Sequence, residues 1–277
     1  MTAIDETSEP TPTAPPRRTR ADTKDTAHVS WRSSAAGRDR VKEATKRSIG
    51  SLQSRYQNNE ASGVATVARL RRLVGQPVHQ GELGLAHMEE LHLARRLDLD
   101  REQTRTGNTE TPASLLDAQA DREDEAVHTA VTLWALHQQS IRDERMHRRG
   151  WSLGHSVRAL AMGTTRAPSA SRSTNAEEKD AIESNSYGPP IEELPTVIRG
   201  RFNRIRGSED VAILTVRLRE LVTLLRGVRV PVDYEDLALA VYDWSDLTRR
   251  DQVRRKWARE FHSARRPAHE PENPPAN

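Results

Sequence analysis

The sequence predicts an all-α fold, arranged as two small helical bundles packed together. Three observations predict it. Apolar residues recur at alternating spacings of three and four, the period of a helix with one buried face. Strictly alternating apolar and polar runs, the mark of half-buried strands, are almost absent. Hydrophobic residues make up only 35% of the 277 residues and charged residues 30%, an apolar-poor balance for a chain folded throughout. That deficit falls at the two ends and in two internal stretches, so the periodic segments between them can still share a core.

Residues 1–37 are rich in Thr, Pro, Ser and charge. They cannot bury enough apolar surface to offset the entropy of ordering, and disorder is expected. They also lack the apolar core of a secretory signal. A helix is predicted from Arg38 to Tyr56, with Val41, Ser48, Ile49, Leu52 and Tyr56 on its inner side. Arg38, Arg40, Lys42, Lys46, Arg47 and Arg55 make that helix strongly basic. Gly63–Val74 is predicted as a short helix in which Val67, Leu70 and Val74 point one way and Arg72 the other. Gly75 and Pro77 end it. Another helix is predicted over Gly81–Leu97 around Leu85, Met88, Leu91 and Leu97, and Asp100–Ser114 reads as a polar loop.

Leu115 to about Met146 reads as one long helix or two. The acidic run Asp121–Glu125 suits a helix start, and Val127, Ala130, Val131, Trp134 and His137 turn inward. Beyond Gly150, Ser152 is placed to cap a short helix holding Leu153, Val157 and Leu160. These segments make an N-terminal helical part, residues 38–162. Residues 163–190 are a low-complexity polar connection, expected to be mobile.

Four helices follow in a C-terminal bundle, residues 191–262. The first has Pro195 in its opening turn, where a missing amide costs nothing, and buries Ile198, Phe202 and Ile205. The second has Ser208 as N-cap, with Glu209 and Asp210 in the first turn. Its stripe is Val211, Leu214, Leu218, Leu221 and Leu225, and Gly227 follows the last periodic residue. The third opens on Asp233 with Asp236 three residues on, a weak capping box, and buries Tyr234, Leu237, Ala238 and Val241. The fourth sets Val253, Trp257 and Phe261 on one stripe, surrounded by Arg249, Arg250, Arg254, Arg255, Lys256 and Arg259. Residues 263–277 form a tail expected to be disordered.

The chemistry of the chain excludes more than it offers. There is no cysteine, hence no disulfide, thiolate metal site or thiol nucleophile. His87 and His92 are five apart, which a helix does not align, and His137, His147 and His155 lie in different local settings, with no HExxH beside them. No phosphate-binding glycine loop and no GxSxG elbow occurs. The acids of Asp121–Glu125 have no nucleophilic or basic companion. A non-enzymatic protein with no cofactor and no metal is the reading. No apolar run approaches the roughly 18 residues of a membrane span, and a cytoplasmic location is expected.

What remains is arginine placement, because the net charge of +3 by itself decides little. Arg199 and Arg206 are seven apart and align about 10 Å apart along one side of their helix. No acid falls between Val197 and Gly207. The group Arg71, Arg72, Arg199, Arg201, Arg204 and Arg206 is expected to meet a nucleic-acid backbone, although any single arginine could equally pair with an acid or solvate the surface. Trp244 and Trp257 could stack bases, but helical spacing puts them in the core. A helix-turn-helix over Val232–Trp257 fits loosely; its turn has no glycine, and Trp257 and Phe261 occupy the face that must be buried.

Four stretches in order resemble one family. They are ARLRRLVGQP at Ala68–Pro77, TLWALHQQS with MHRRGWSLGHSVRALA within Thr132–Ala161, RGRFNRIRG at Arg199–Gly207, and LRELVTLLRGVRVPVDYEDLALAVYDW at Leu218–Trp244 followed by VRRKWAREF. The chain resembles CasB, the small subunit of the type I-E CRISPR surveillance complex Cascade, from about Val64 to Phe261. The resemblance implies an all-helical, two-part fold without a catalytic site. It implies a second copy in the complex, docked along the backbone and large subunits that hold the guide RNA. It implies a basic surface that holds the displaced DNA strand and steadies the target strand in the R-loop during antiviral defence. The family's functional arginines fall on Arg72, Arg199, Arg206 and Arg219, and Arg158 follows the SLG of this chain. His155 stands where an arginine can appear, and the N-terminal extension and the two polar inserts are further departures. A free-standing helical DNA-binding regulator and a structural adapter without nucleic-acid contact are the alternatives.

Overall fold

The computed structural model describes residues 34–78, 113–163 and 194–263. The helix expected over Gly81–Leu97, most of the Asp100–Ser114 loop, the polar connection beyond Gly163 and nearly all of the two ends lie outside these residues. Eight helices and no strand occur among the described residues: α1 Ala35–Gln57, α2 Ala61–Arg72, α3 Ala113–Gln138, α4 Leu153–Ala161, α5 Thr196–Arg206, α6 Val211–Gly227, α7 Tyr234–Trp244 and α8 Leu247–His262. The fold is all-α, as the periodicities predict.

Helix α1 begins at Ala35, three residues before the expected Arg38, because the Ser34 hydroxyl accepts the Gly37 amide and caps it. Helix α3 is one helix and runs from Ala113 only to Gln138. Its acidic run is therefore not a helix start. Glu123 and Asp124 lie two to three turns inside it and are buried, and Arg40 of α1 donates two bonds to Glu123 at 2.5 and 3.1 Å. The segment after α3 is held by Gln138, whose side chain donates to the Ile141 and Glu144 carbonyls and accepts the Met146 amide. Backbone bonds from Arg148 to Val232, at 3.2 Å, and from Val232 to Met146, at 3.0 Å, tie it to the entry of α7.

Caps explain most of the other ends. Asp233 accepts the Glu235 and Asp236 amides at the start of α7, and Asp246 accepts those of Thr248 and Arg249 at the start of α8. The capping box at Asp233 does not close: its own amide donates to the Trp151 carbonyl, and Asp236 pairs with Lys256. The N-cap of α6 is Asp210, which accepts the Ile213 amide at 2.7 Å, and not Ser208. Ser152 stands at the N-cap of α4, but its hydroxyl lies 2.9 Å from His155 Nδ1 and bonds no helix amide.

The stripes predicted for α6, α7 and α8 are all buried, and Trp134, Trp244 and Trp257 have no exposure. The rings of Trp244 and Trp257 stack at 5.4 Å, which places both in the core and away from bases. Ile198 and Leu160 are only half-buried, short of expectation. The helices before and after the polar connection share faces: α7 packs against α1, α3 and α8, and α4 packs against α8. Gly154 permits the second contact. A Cβ there would stand 2.6 Å from the Trp257 carbonyl oxygen and 3.0 Å from the Phe261 amide of α8.

Candidate nucleic-acid interface

Helix α5 supplies the site because its sequence divides cleanly by face. Phe202 and Ile205 are buried, and Phe202 meets Phe261 of α8 with ring centroids 4.9 Å apart. Those contacts fix the rotation of α5. They leave Arg199, Asn203 and Arg206, at i, i+4 and i+7, along one edge, with Asn203 exposed and the two arginines half-buried. That edge and the C-terminal end of α8 enclose an open groove of about 410 Å³, lined by Thr196, Arg199, Gly200, Asn203, Arg206, Phe261 and His262. No acid is among these lining residues.

The two arginines are held differently. Arg199 reaches Thr196 Oγ1 at 3.4 Å, and its buried Nε has no hydrogen-bond partner among the described residues. Arg206 donates through Nε to the Arg254 carbonyl at 3.2 Å. Burial, and then the neighbouring Arg254 charge, hold the Arg206 pKa below its ordinary value. Burial and Arg254 act the same way on Arg250. Arg206, Arg250 and Arg254 thus crowd together beside the α5–α6 turn, and of the three only Arg206 lines the groove.

Several neighbouring arginines brace the chain instead. Arg217 donates to the Arg204 carbonyl and to Ser208 Oγ, Arg254 to the Ser208 carbonyl at 2.8 Å, and Arg250 to the Glu209 carbonyl at 2.6 Å. These bonds satisfy carbonyls of the α5–α6 turn and explain why Ser208 cannot serve as the cap of α6. The Arg254 guanidinium also lies 5.4 Å from the centroid of the Trp244 ring.

The arginines expected from sequence therefore fall into separate places. Arg199 and Arg206 share the groove. Arg201 points away from it and pairs with Glu220 of α6 at 3.6 Å. Arg219, exposed on α6, is the sequence neighbour of that glutamate. Arg71 is half-buried and Arg72 exposed in the last turn of α2; α2 packs on α1 and α3, so these two are not part of the groove. Arg158 is the sharpest departure from a surface role. It is 5% exposed, and its Nη1 donates to the Phe261 carbonyl at 3.1 Å.

Asn203 and His262 belong to the site without having been singled out for it. Asn203 was legible, since it lies four residues from Arg199 on the same side. His262 depends on the end of α8 meeting α5 through Phe261 and Phe202, and no local pattern encodes that meeting.

Comparison with known proteins agrees with this architecture. The family described as CRISPR-associated protein Cse2 matches residues 66–262, from the middle of α2 to the end of α8. Among solved structures, the crystal structure of CasB from Thermobifida fusca is similar, with a TM-score of 0.55 and 28% sequence identity. That likeness covers 81% of this chain and 98% of the other. No curated protein matches the chain.

Proposed function

The chain belongs to the CRISPR-associated protein Cse2 family, which makes it a subunit of a CRISPR Cascade complex, and from that premise we propose that it is a non-catalytic small subunit that grips nucleic-acid backbone and stabilises the open R-loop. The observation that carries this reading is the groove that Arg199 and Arg206 both line, with no acid among its described lining residues. Two arginines whose helix positions are about 10 Å apart along the axis suit neighbouring phosphates of a single strand. A grip made through phosphates carries no sequence information, so binding is tolerant of sequence.

The energetics fit a modest grip. Exchange of a DNA duplex for a guide RNA–DNA heteroduplex is nearly balanced, so a few backbone contacts tip it. The subunit works beside the backbone and large subunits with their guide RNA and a second copy of itself, in the cytoplasm, on the displaced and target DNA strands. Arg71, Arg72 and Arg219, away from the groove, serve as separate contacts along the strands' path. An adapter reading draws on the arginines that brace carbonyls or pair with acids, such as Arg217 and Arg201, and the same experiment separates the two.

The test is R-loop lifetime in reconstituted Cascade carrying Arg199→Ala with Arg206→Ala, measured over a range of salt. The double variant should assemble, lose the R-loop faster, and show a salt slope shallower by about 1.4, or roughly 0.7 for each lost phosphate contact. A double variant that assembles and holds open DNA as long as its parent, with the parent's slope, overturns the proposal and leaves the adapter reading.

A further inference from the structure

Arg158 is buried, and its position invites a role quite unlike that of a surface cation. Its Nη1 donates to the Phe261 carbonyl at 3.1 Å. Phe261 is the penultimate residue of α8, so that carbonyl is among the last four of the helix, which have no partner within it. A guanidinium there satisfies an orphan acceptor and complements the negative end of the helix dipole. Four residues earlier, on the same side of α4, Gly154 lies against the Trp257 carbonyl oxygen and the Phe261 amide so closely that a Cβ would stand 2.6 and 3.0 Å from them. Glycine and arginine at i and i+4 thus act together on one turn of α8. The glycine lets the backbones approach, and the arginine fastens the end.

That turn of α8 is also one wall of the cationic groove. Phe261 and His262 line it opposite Arg199, Asn203 and Arg206, and the Phe261 ring packs on Phe202 of α5. We propose that Arg158 is a positioning residue for this groove, acting with Gly154 through the end of α8 and making no contact with nucleic acid itself. The inference rests on the groove being the nucleic-acid grip, and it deepens that reading by naming what holds the grip in shape.

A contact residue and a positioning residue differ in their salt signature. Removing a phosphate contact lowers the number of counterions released and flattens the salt slope by about 0.7. Removing a positioning residue weakens the grip while its arginines remain. The experiment measures R-loop lifetime against salt in reconstituted Cascade, together with amide hydrogen exchange of Arg259–Ser263 in the full chain. It compares Arg158→Lys, Arg158→Met, Gly154→Ala and Arg199→Ala. The first three should shorten the lifetime with the parent's salt slope and faster exchange at the end of α8. Arg158→Met should do so by about tenfold, the scale of one lost charge-assisted hydrogen bond, and Gly154→Ala through the forced separation of α4 from α8. Arg199→Ala should flatten the slope and leave that exchange unchanged.

A flattened slope in Arg158→Met, equal to that of Arg199→Ala, makes Arg158 a phosphate contact and overturns the inference. So does a parental lifetime in all three α4 variants. If Arg158→Met does not assemble, Gly154→Ala decides the question, since it removes no charge and no hydrogen bond. If Arg199→Ala has no effect on the R-loop, the groove reading itself fails. The exchange data then still report whether Arg158 fastens α8.

Discussion

Glu123 shows what a single buried charge does here. It has no solvent exposure, and Arg40 reaches it at 2.5 Å from a helix 83 residues away in sequence, with Gln119 Nε2 donating at 2.9 Å. Breaking such a pair from one side strands the other charge in a poor dielectric, at a cost of about 3–5 kcal/mol. Glu123→Ala should therefore lower the denaturant midpoint by that amount of free energy, with little change in the slope of the transition. In sequence, the run Asp121–Glu125 looks like the negative opening of a helix; only the meeting of α1 with α3 shows which acid is structural. His137 was legible as an inward residue, and it is fully buried, with Nδ1 2.8 Å from the Tyr234 hydroxyl. Burial, then the Arg226 charge, push its pKa down to about 3 against the bonding carbonyls of Val230 and Leu225. The folded state thus refuses a proton that the unfolded chain accepts near pH 6.5, so stability is full above about 6.5 and falls as the pH drops toward 3. Between pH 6.5 and pH 5 this one group removes about 2 kcal/mol. Thermal melts of the parent and of His137→Gln should show the parent losing that much more stability over the interval. Equal pH dependence in the two proteins would contradict the assignment.

Helix ends were less legible than helix faces, for a physical reason. The stripe of α6 follows from periodicity alone, whereas its cap depends on where the chain turns. Ser208 has a good capping side chain three residues before Val211, but the turn buries it beneath Arg217 and Arg254. Asp210, immediately before Val211, takes the Ile213 amide instead. Asp210→Ala should cost about 1 kcal/mol, read as a shift in the denaturant midpoint. If Asp210→Ala is neutral, the α6 amide is satisfied in some other way. The same distinction governs the groove. The seven-residue spacing of Arg199 and Arg206, and the acid-free run between Val197 and Gly207, mark α5 as the helix that presents cations. The opposite wall comes from α8 and is fastened by α4, whose SLGHSVR segment gives no outward sign that its arginine faces inward. An arginine reads as surface until a helix terminus is found behind it.

Across the whole molecule, helices drawn from both sides of the polar connection complete one another. Helix α7 lies in the C-terminal stretch, yet Tyr234, Leu237, Ala238, Val241 and Trp244 are at most 2% exposed because α1, α3 and α8 cover them. Helix α1 lies outside residues 66–262, the part shared with the family model, and still supplies Arg38 to Asp243 of α7 and Arg40 to Glu123 of α3. The C-terminal stretch alone would expose the covered face of α7, and the N-terminal stretch alone would leave Glu123 paired but α3 half bare. Burial of that face is the dominant favourable term for both. Expressed as two chains, residues 1–163 and 191–277 should therefore be unfolded or aggregated singly. Together they should form one complex that melts in a single transition, with coincident far-UV and tryptophan signals. The tryptophan signal reports both sides, since Trp134 belongs to the first fragment and Trp244 and Trp257 to the second. Two separate transitions, or a cooperative melt of residues 191–277 alone, would mean that each stretch carries a sufficient core of its own.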